Sequence, residues 1–269
     1  MQQEKRPKIG LALGSGGAKG LAHIGIIKVL EENNIPIDFI AGSSVGAIIG
    51  GCYAALRDIN EIEKIALKTN SRQMFSFIDP ALRRGGLVRG EKIKKFFEQF
   101  VNGIEIKDCR IPFLAVATDL NNGESVVIRK GKLSHAIHAS IACPPVFRPV
   151  EIESRSLGDG GFSMPVPVDI VREMGADIVI AVNLDSYQST DIRKMGVVFF
   201  KAVQRSIWLL RHHLSAWNIK NADIVINPQT GRVYWNKFMN GKKSILAGEE
   251  AARKMLPEIR KLMKEKMEK

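Results

Sequence analysis

At 269 residues and 45% hydrophobic content the chain can bury a large core, yet no run of about eighteen apolar residues marks a membrane span, and the charged start from Met1 to Lys8 lacks the apolar centre of a secretory leader. Cys52, Cys109 and Cys143 are an odd and widely spaced set, which excludes a disulfide framework or a zinc cluster and points to a reducing, cytoplasmic setting. A formal net charge of +12 asks for an anionic counterpart; without zinc-finger spacing or stacking aromatics, peripheral contact with an anionic membrane is expected, not nucleic acid.

Strand and helix patterns alternate along residues 1–269, which read as one domain. Lys8 to Leu13 is a short buried strand, and Gly14-Ser15-Gly16-Gly17-Ala18-Lys19-Gly20 leads from it into a helix ending near Asn33, with Ala22, Ile26, Val29 and Leu30 on one face. A glycine-rich turn between strand and helix offers backbone N–H groups to an anion. It is not a P-loop, because Lys19 is followed by glycine where that loop needs serine or threonine. Nor is it a dinucleotide fingerprint: the third glycine comes one place late at Gly20, and Asp38 stands before the second strand instead of at its end. No cofactor is called for. What remains is an oxyanion hole in which Gly16 and Gly17 donate, with the Ser15 N–H as a secondary candidate.

The stretch from Ile37 to Gly51 runs from an apolar strand straight into a helix, with Gly42-Ser43-Ser44-Val45-Gly46 at the junction. This is the pattern of a nucleophile elbow, a turn tight enough to strain the serine backbone and lift its hydroxyl to the carboxyl end of the strand. The spacing selects Ser44 over Ser43, and Gly42 and Gly46 leave room for neighbouring segments. First-strand loop and second-strand elbow open on the same edge of a parallel sheet, so they can meet.

Helices are expected over Ile59 to Lys68 and Glu91 to Val101, separated by an irregular stretch holding Met74, Phe75, Phe77, Ile78, Pro80 and Leu82. Such a cover suits a lid or lipid contact, and the run Arg83, Arg84, Arg89, Lys92, Lys94 and Lys95, almost without acidic relief, suits anionic head groups. Strands are expected over Arg110 to Thr118 and Ser125 to Arg129, then a helix over Lys132 to Ala142. His135 and His138, three apart on that helix, lack carboxylate or thiol partners for a metal and are read as structural. His23 is read likewise, carried by the first helix away from the elbow. Leu157-Gly158-Asp159-Gly160-Gly161 has the form of a turn. A serine nucleophile needs a base, and a desolvated Asp159 in such a turn can reach Ser44 directly.

Ser15-Gly16-Gly17-Ala18-Lys19-Gly20, Gly42-Ser43-Ser44-Val45-Gly46 and Asp159-Gly160-Gly161, in this order, resemble the signature of the patatin-like phospholipases. Gly20-Leu21-Ala22-His23-Ile24-Gly25, the block from Ala139 to Phe147 and Pro165-Val166-Pro167 support the likeness, which extends over residues 8–184 and is similar to bacterial members of the branch that includes neuropathy target esterase. The resemblance implies a three-layer α/β/α domain with a mainly parallel sheet. It implies Ser44 as nucleophile, Asp159 as base of a Ser–Asp dyad without histidine, Gly160 as motif support and the glycine loop as oxyanion hole. Ser15 stands where the family usually has glycine, and Lys19 where it commonly has arginine; either residue at the latter place can hold the loop or an anionic substrate.

Beyond this, a helix over Val168 to Met174 and a strand over Ala176 to Asn183 continue the alternation, and residues 190–269 read as a helical extension. It holds a long helix from about Asp191 to Asn218, a short strand over Ala222 to Asn227, and a basic closing helix, Ser244 to Lys269, interrupted at Pro257. The expected activity is acyl-ester hydrolysis on a lipid-like substrate through an acyl-serine. The rival is a regulatory or lipid-binding protein that keeps the fold with little turnover.

Overall fold

The computed structural model describes residues 6–68, 88–144, 146–185, 199–231 and 241–268. Strand β1 (Ile9–Leu13) leads through a tight 3-10 turn to α1 (Ala22–Glu32), and β2 (Phe39–Ser43) runs directly into α2 (Val45–Leu56). Helices α3 (Ile59–Lys68) and α4 (Glu91–Phe100) precede β3 (Phe113–Asp119), β4 (Ser125–Ile128) and α5 (Leu133–Ser140). The chain continues through β5 (Val150–Ile152), β6 (Arg155–Asp159), α6 (Val168–Glu173), β7 (Ile178–Val182), α7 (Phe199–Asn218), β8 (Ile224–Ile226) and α8 (Gly241–Met267).

The strands form one sheet in the order β5-β6-β3-β2-β1-β7-β8, with β4 also paired to β3. From β3 to β8 the pairing is parallel, and β4, β5 and β6 are antiparallel additions around β3. Alternate residues of β1 serve different faces, as the two-residue period of a strand requires. Ile9, Leu11 and Leu13 pack with α1, α2 and α8 on one side, while Ala12 joins Val168 and Val171 of α6 on the other. Each face of the sheet therefore has its own apolar core, and the architecture is the expected α/β/α sandwich. No helix among the described residues is long and apolar enough to cross a membrane.

Two sequence expectations are corrected. The closing helix runs through Pro257 without interruption. Pro257 is exposed, while Ala252 and Ile259 on either side are fully buried, so packing holds the helix and the carbonyl that loses its bond faces water. Asp159 is not in a free turn but is the last residue of β6, paired with Ala117. The apolar stretch Met74 to Leu82, the pair Arg83 and Arg84, and the start of the long helix before Phe199 lie outside the described residues.

The register along β3 brings β2 and β6 end to end. Ala115 and Val116 pair with Gly42 and Ser43 of β2 while also pairing with β4, so β2 and β4 occupy opposite edges of β3. Ala117 and Thr118 pair with β4 and also with Asp159 and Gly158 of β6. Hence β6 takes over the edge where β2 stops. The two strands approach head to head, and consecutive residues Val116 and Ala117 hold Ser43 and Asp159.

Candidate active site

Ser44 caps α2 with φ 55° and ψ −122°, a conformation that costs a side-chain-bearing residue about 1–3 kcal/mol. Flanking glycines are what make this turn buildable. A Cβ at Gly42 would sit 2.4 Å from the Gly46 carbonyl oxygen, and one at Gly46 would sit 2.1 Å from that of Leu13. The elbow and the end of β1 are thus in backbone contact, which brings the glycine loop to the serine.

The Ser44 hydroxyl donates to Asp159 Oδ2 at 2.7 Å, and Asp159 Oδ1 accepts the Gly161 N–H at 2.8 Å. Thr118 Oγ1 holds the Asp159 carbonyl oxygen at 2.8 Å, and the Asp159 N–H donates to Ala142 O at 2.9 Å. The aspartate is therefore fixed at every polar atom. Burial raises its pKa above the usual carboxylate range, and the Ser44 hydroxyl, the Gly161 N–H and the nearby Arg211 only partly oppose this. A carboxylate so placed is a stronger base than a solvated one, and it directly faces the serine proton.

Ser140, at the end of α5, has a role that its sequence does not announce. Its hydroxyl accepts the Ser44 N–H at 2.9 Å and donates to Val116 O at 2.6 Å, tying the elbow to β3. The one signal for it in the sequence is its place within the block from Ala139 to Phe147 that carries part of the family resemblance.

In the glycine loop, the Ser15 N–H donates to Pro165 O at 2.8 Å, so it is not available to an oxyanion and the secondary candidate falls. Gly16 and Gly17 have no backbone acceptor for their N–H groups among the described residues. Leu184 packs against the face of Gly16, where a Cβ would meet it at 2.7 Å. His23 is fully buried, with Nε2 2.8 Å from Gly14 O; burial lowers its pKa to about 4, which keeps the ring neutral and makes Nε2–H the donor. It braces the glycine loop at Gly14 instead of being carried away from this region as expected.

Lys19 turns inward and is buried, with Nζ 3.5 Å from Leu184 O. Burial lowers its pKa, and Asp185 counters this. Asp185, only 1% exposed, accepts both arms of Arg211 from α7, Nε at 2.8 Å and Nη2 at 2.6 Å. Ser215 Oγ adds a bond to the same carboxylate at 3.0 Å. Nothing in the sequence signals this group: Asp185 and Arg211 belong to no motif, and their contact is purely tertiary. Gly160 starts the turn after Asp159 and packs tightly between β3 and the elbow, since a Cβ there would meet Val116 O at 2.2 Å and Ser43 Oγ at 2.7 Å.

The remaining candidates lie elsewhere. His135 and His138 line a separate cleft of about 310 Å³ with Arg89, Lys94 and Arg148, and no group of three His, Cys, Asp or Glu fit for a metal exists among the described residues. The basic run is not without acidic relief, because Lys94 pairs with Glu91 at 2.9 Å.

The model of the patatin-like phospholipase family matches residues 11–172, which takes in the glycine loop, the elbow and Asp159. The chain belongs to the patatin-like phospholipase family. It is 42% identical over 187 residues to an uncharacterized NTE family protein of Mycobacterium tuberculosis, covering 70% of this chain and 52% of that protein. It is 31% identical over 217 residues to human patatin-like phospholipase domain-containing protein 6, covering 78% of this chain and 15% of the human one. The chain thus spans about half the length of the mycobacterial relatives it matches. Among solved structures, VipD from Legionella pneumophila superposes with a TM-score of 0.54 over 94% of this chain and 67% of its own at 13% identity, a likeness of fold. Like the family match, the resemblance to the neuropathy target esterase branch holds. Asp185 and Arg211 fall outside the patatin-like match.

Proposed function

We propose that this patatin-like chain is a serine acyl hydrolase that cleaves lipid-like carboxylic esters through an acyl-Ser44 intermediate, with residues 1–269 acting as one hydrolytic domain. The observation that carries the reading is the 2.7 Å hydrogen bond from a strained elbow serine to a buried carboxylate. Membership of a family of phospholipases supports a lipid ester as the bond attacked.

In this reading Asp159 takes the proton from Ser44 Oγ as that oxygen attacks the ester carbonyl. The developing oxyanion is met by the N–H groups of Gly16 and Gly17, which have no backbone acceptor of their own among the described residues. As the tetrahedral intermediate collapses, the proton on Asp159 passes to the leaving alcohol. Water then approaches the acyl-serine, gives its proton to Asp159 and releases the acid, after which the proton returns to Ser44. No histidine is needed, since His23 is turned to Gly14 and the Ser44 hydroxyl is bonded to Asp159.

A screen over ester chain length and head group, spanning phospholipid, lysophospholipid, simple ester and thioester, tests the reading with Ser44→Ala as blank. Turnover that vanishes in the blank is the expected result; turnover that survives in it overturns the assignment.

A further inference from the structure

Helix α7 lies outside the region that the family model matches, and its two faces differ sharply. The inner face is tied down: Arg211 and Ser215 bind the Asp185 carboxylate, and His212 Nδ1 meets the Asp185 carbonyl. Asp185 comes just after the carboxyl end of β7, and β1, β2 and β7 are parallel, so this tether sits on the edge where the elbow and glycine loop open.

The outer face carries Val203, Leu210 and Trp217, which are 40%, 72% and 67% exposed. Their spacing of seven residues puts them on one line two turns apart, a stripe about 21 Å long at 1.5 Å per residue. Isolated exposed apolar residues need no explanation, but an aligned set of large ones does.

Charge identifies what covers it. From Phe199 to Asn221 there is no acidic residue, and with Arg211 held on the inner face by Asp185 the sequence still carries Lys201, Arg205 and Lys220 as cations. Lys220 Nζ stands 4.1 Å from the ring centroid of Trp217, the last residue of the stripe. An aromatic ring bordered by a cation that reaches past it is the chemistry of a helix lying in a head-group layer. A second copy of the chain fits poorly, since an equally acid-free helix face offers Lys220 no carboxylate.

We propose that the outer face of α7 is a docking surface for a bilayer bearing anionic head groups, seated so that the sheet edge carrying Ser44 comes down beside the lipid. Docking itself does not depend on the catalytic reading, and binding can be measured apart from turnover. The probe is co-flotation of the full chain with vesicles of phosphatidylcholine alone or with about 30% phosphatidylglycerol.

The parent chain is expected to float with the anionic vesicles at least about tenfold better than with neutral ones, and to be released by high salt. Val203→Ser, Leu210→Ser and Trp217→Ser together should lower that binding at least about tenfold, while turnover of a short soluble ester stays within about twofold of the parent. Lys220→Gln should remove about fivefold of the preference for anionic vesicles. Absence of flotation in the parent, or equal flotation of the triple variant, overturns the proposal. So does sedimentation equilibrium that shows parent dimers, a monomeric triple variant and no vesicle binding, which would assign the stripe to a second copy.

Discussion

On one side of Ser44 position is set by main chain, and on the other by side chains brought from far along the sequence. Strand β3 holds Ser43 and Asp159 at consecutive residues, so the 2.7 Å contact between Ser44 and Asp159 arises from sheet register and two short turns. The glycine loop is held by main chain at its start, where the Gly14 N–H donates to Val182 O at 3.1 Å and the Ser15 N–H to Pro165 O at 2.8 Å. It rests on His23 below, on Leu184 at the face of Gly16, and on Lys19, which reaches the same strand end that Arg211 and Ser215 clasp through Asp185. The difference teaches where each half is most vulnerable: the first to a change of sheet register, and the second to loss of a distant side chain.

The largest break in that contrast is expected at Ser44. Ser44→Ala should lower ester turnover by at least about a thousandfold while leaving the fold intact, as activity and circular dichroism on the same preparation will reveal. Ser44→Gly should be equally inactive yet more stable than the alanine variant by about 1 kcal/mol in urea unfolding, because a positive φ suits glycine. Equal stability of the two would mean that the elbow is not strained.

Next in size is Asp159→Asn, with a loss of about a thousandfold in kcat. Its pH behaviour sharpens the reading of the main-chain half. Burial raises the Asp159 pKa, so the folded state holds the proton more tightly than the unfolded chain does. That stabilisation is complete below the unfolded pKa and is lost as pH rises through the folded one. At neutral pH the parent therefore carries the cost of a buried charge that the neutral asparagine does not. A melting temperature about 2–4 °C above the parent at pH 7, with the gap closing in acid, is expected in calorimetry. In the parent, kcat/KM should rise with pH along a limb above the usual carboxylate range.

Arg211→Met probes the side-chain half. It leaves Asp185, 1% exposed, without its bidentate partner, and because Arg211 keeps 24% of its side chain exposed the loss is set at about 2–3 kcal/mol. If the tether orders the glycine loop, kcat falls by about tenfold with KM little changed, and Arg211→Lys recovers part of both. Stability lost without any change in kcat would uncouple α7 from the loop. The smallest expected effect is that of Ser140→Ala, which removes the acceptor of the Ser44 N–H and a donor to Val116 O; about 1–2 kcal/mol of stability and a fewfold fall in kcat are expected from urea titration and steady-state rates.

The same division explains which features are legible in the residues alone. The elbow is legible because Gly42, Ser44 and Gly46 are each required by local backbone geometry, and the α/β alternation because period-two and helical patterns are local as well. Asp159 stands out as a candidate base, but its secondary structure does not. Leu157-Gly158-Asp159-Gly160-Gly161 has the composition of a turn, and only pairing with Ala117 to Asp119 makes its first half a strand. Pro257 marks a helix break by local rule, and packing of Ala252 and Ile259 overrides it. Arg211 and Asp185 stand 26 residues apart without motif or periodicity to join them, so nothing local announces their contact. Ser15 reads as a donor because loop amides look alike in sequence; which of them has an acceptor depends on Pro165, far along the chain.

The central claim is that the Ser44 oxygen is the nucleophile and Asp159 its base. Incubation with a fluorophosphonate, and then intact mass and peptide sequencing, tests it most directly. The account predicts one adduct per chain, on Ser44, formed at a rate that rises with pH along the Asp159 limb and slowed by orders of magnitude in Asp159→Asn. An adduct on any other residue, or undiminished labelling of Ser44 in Asp159→Asn, would contradict it.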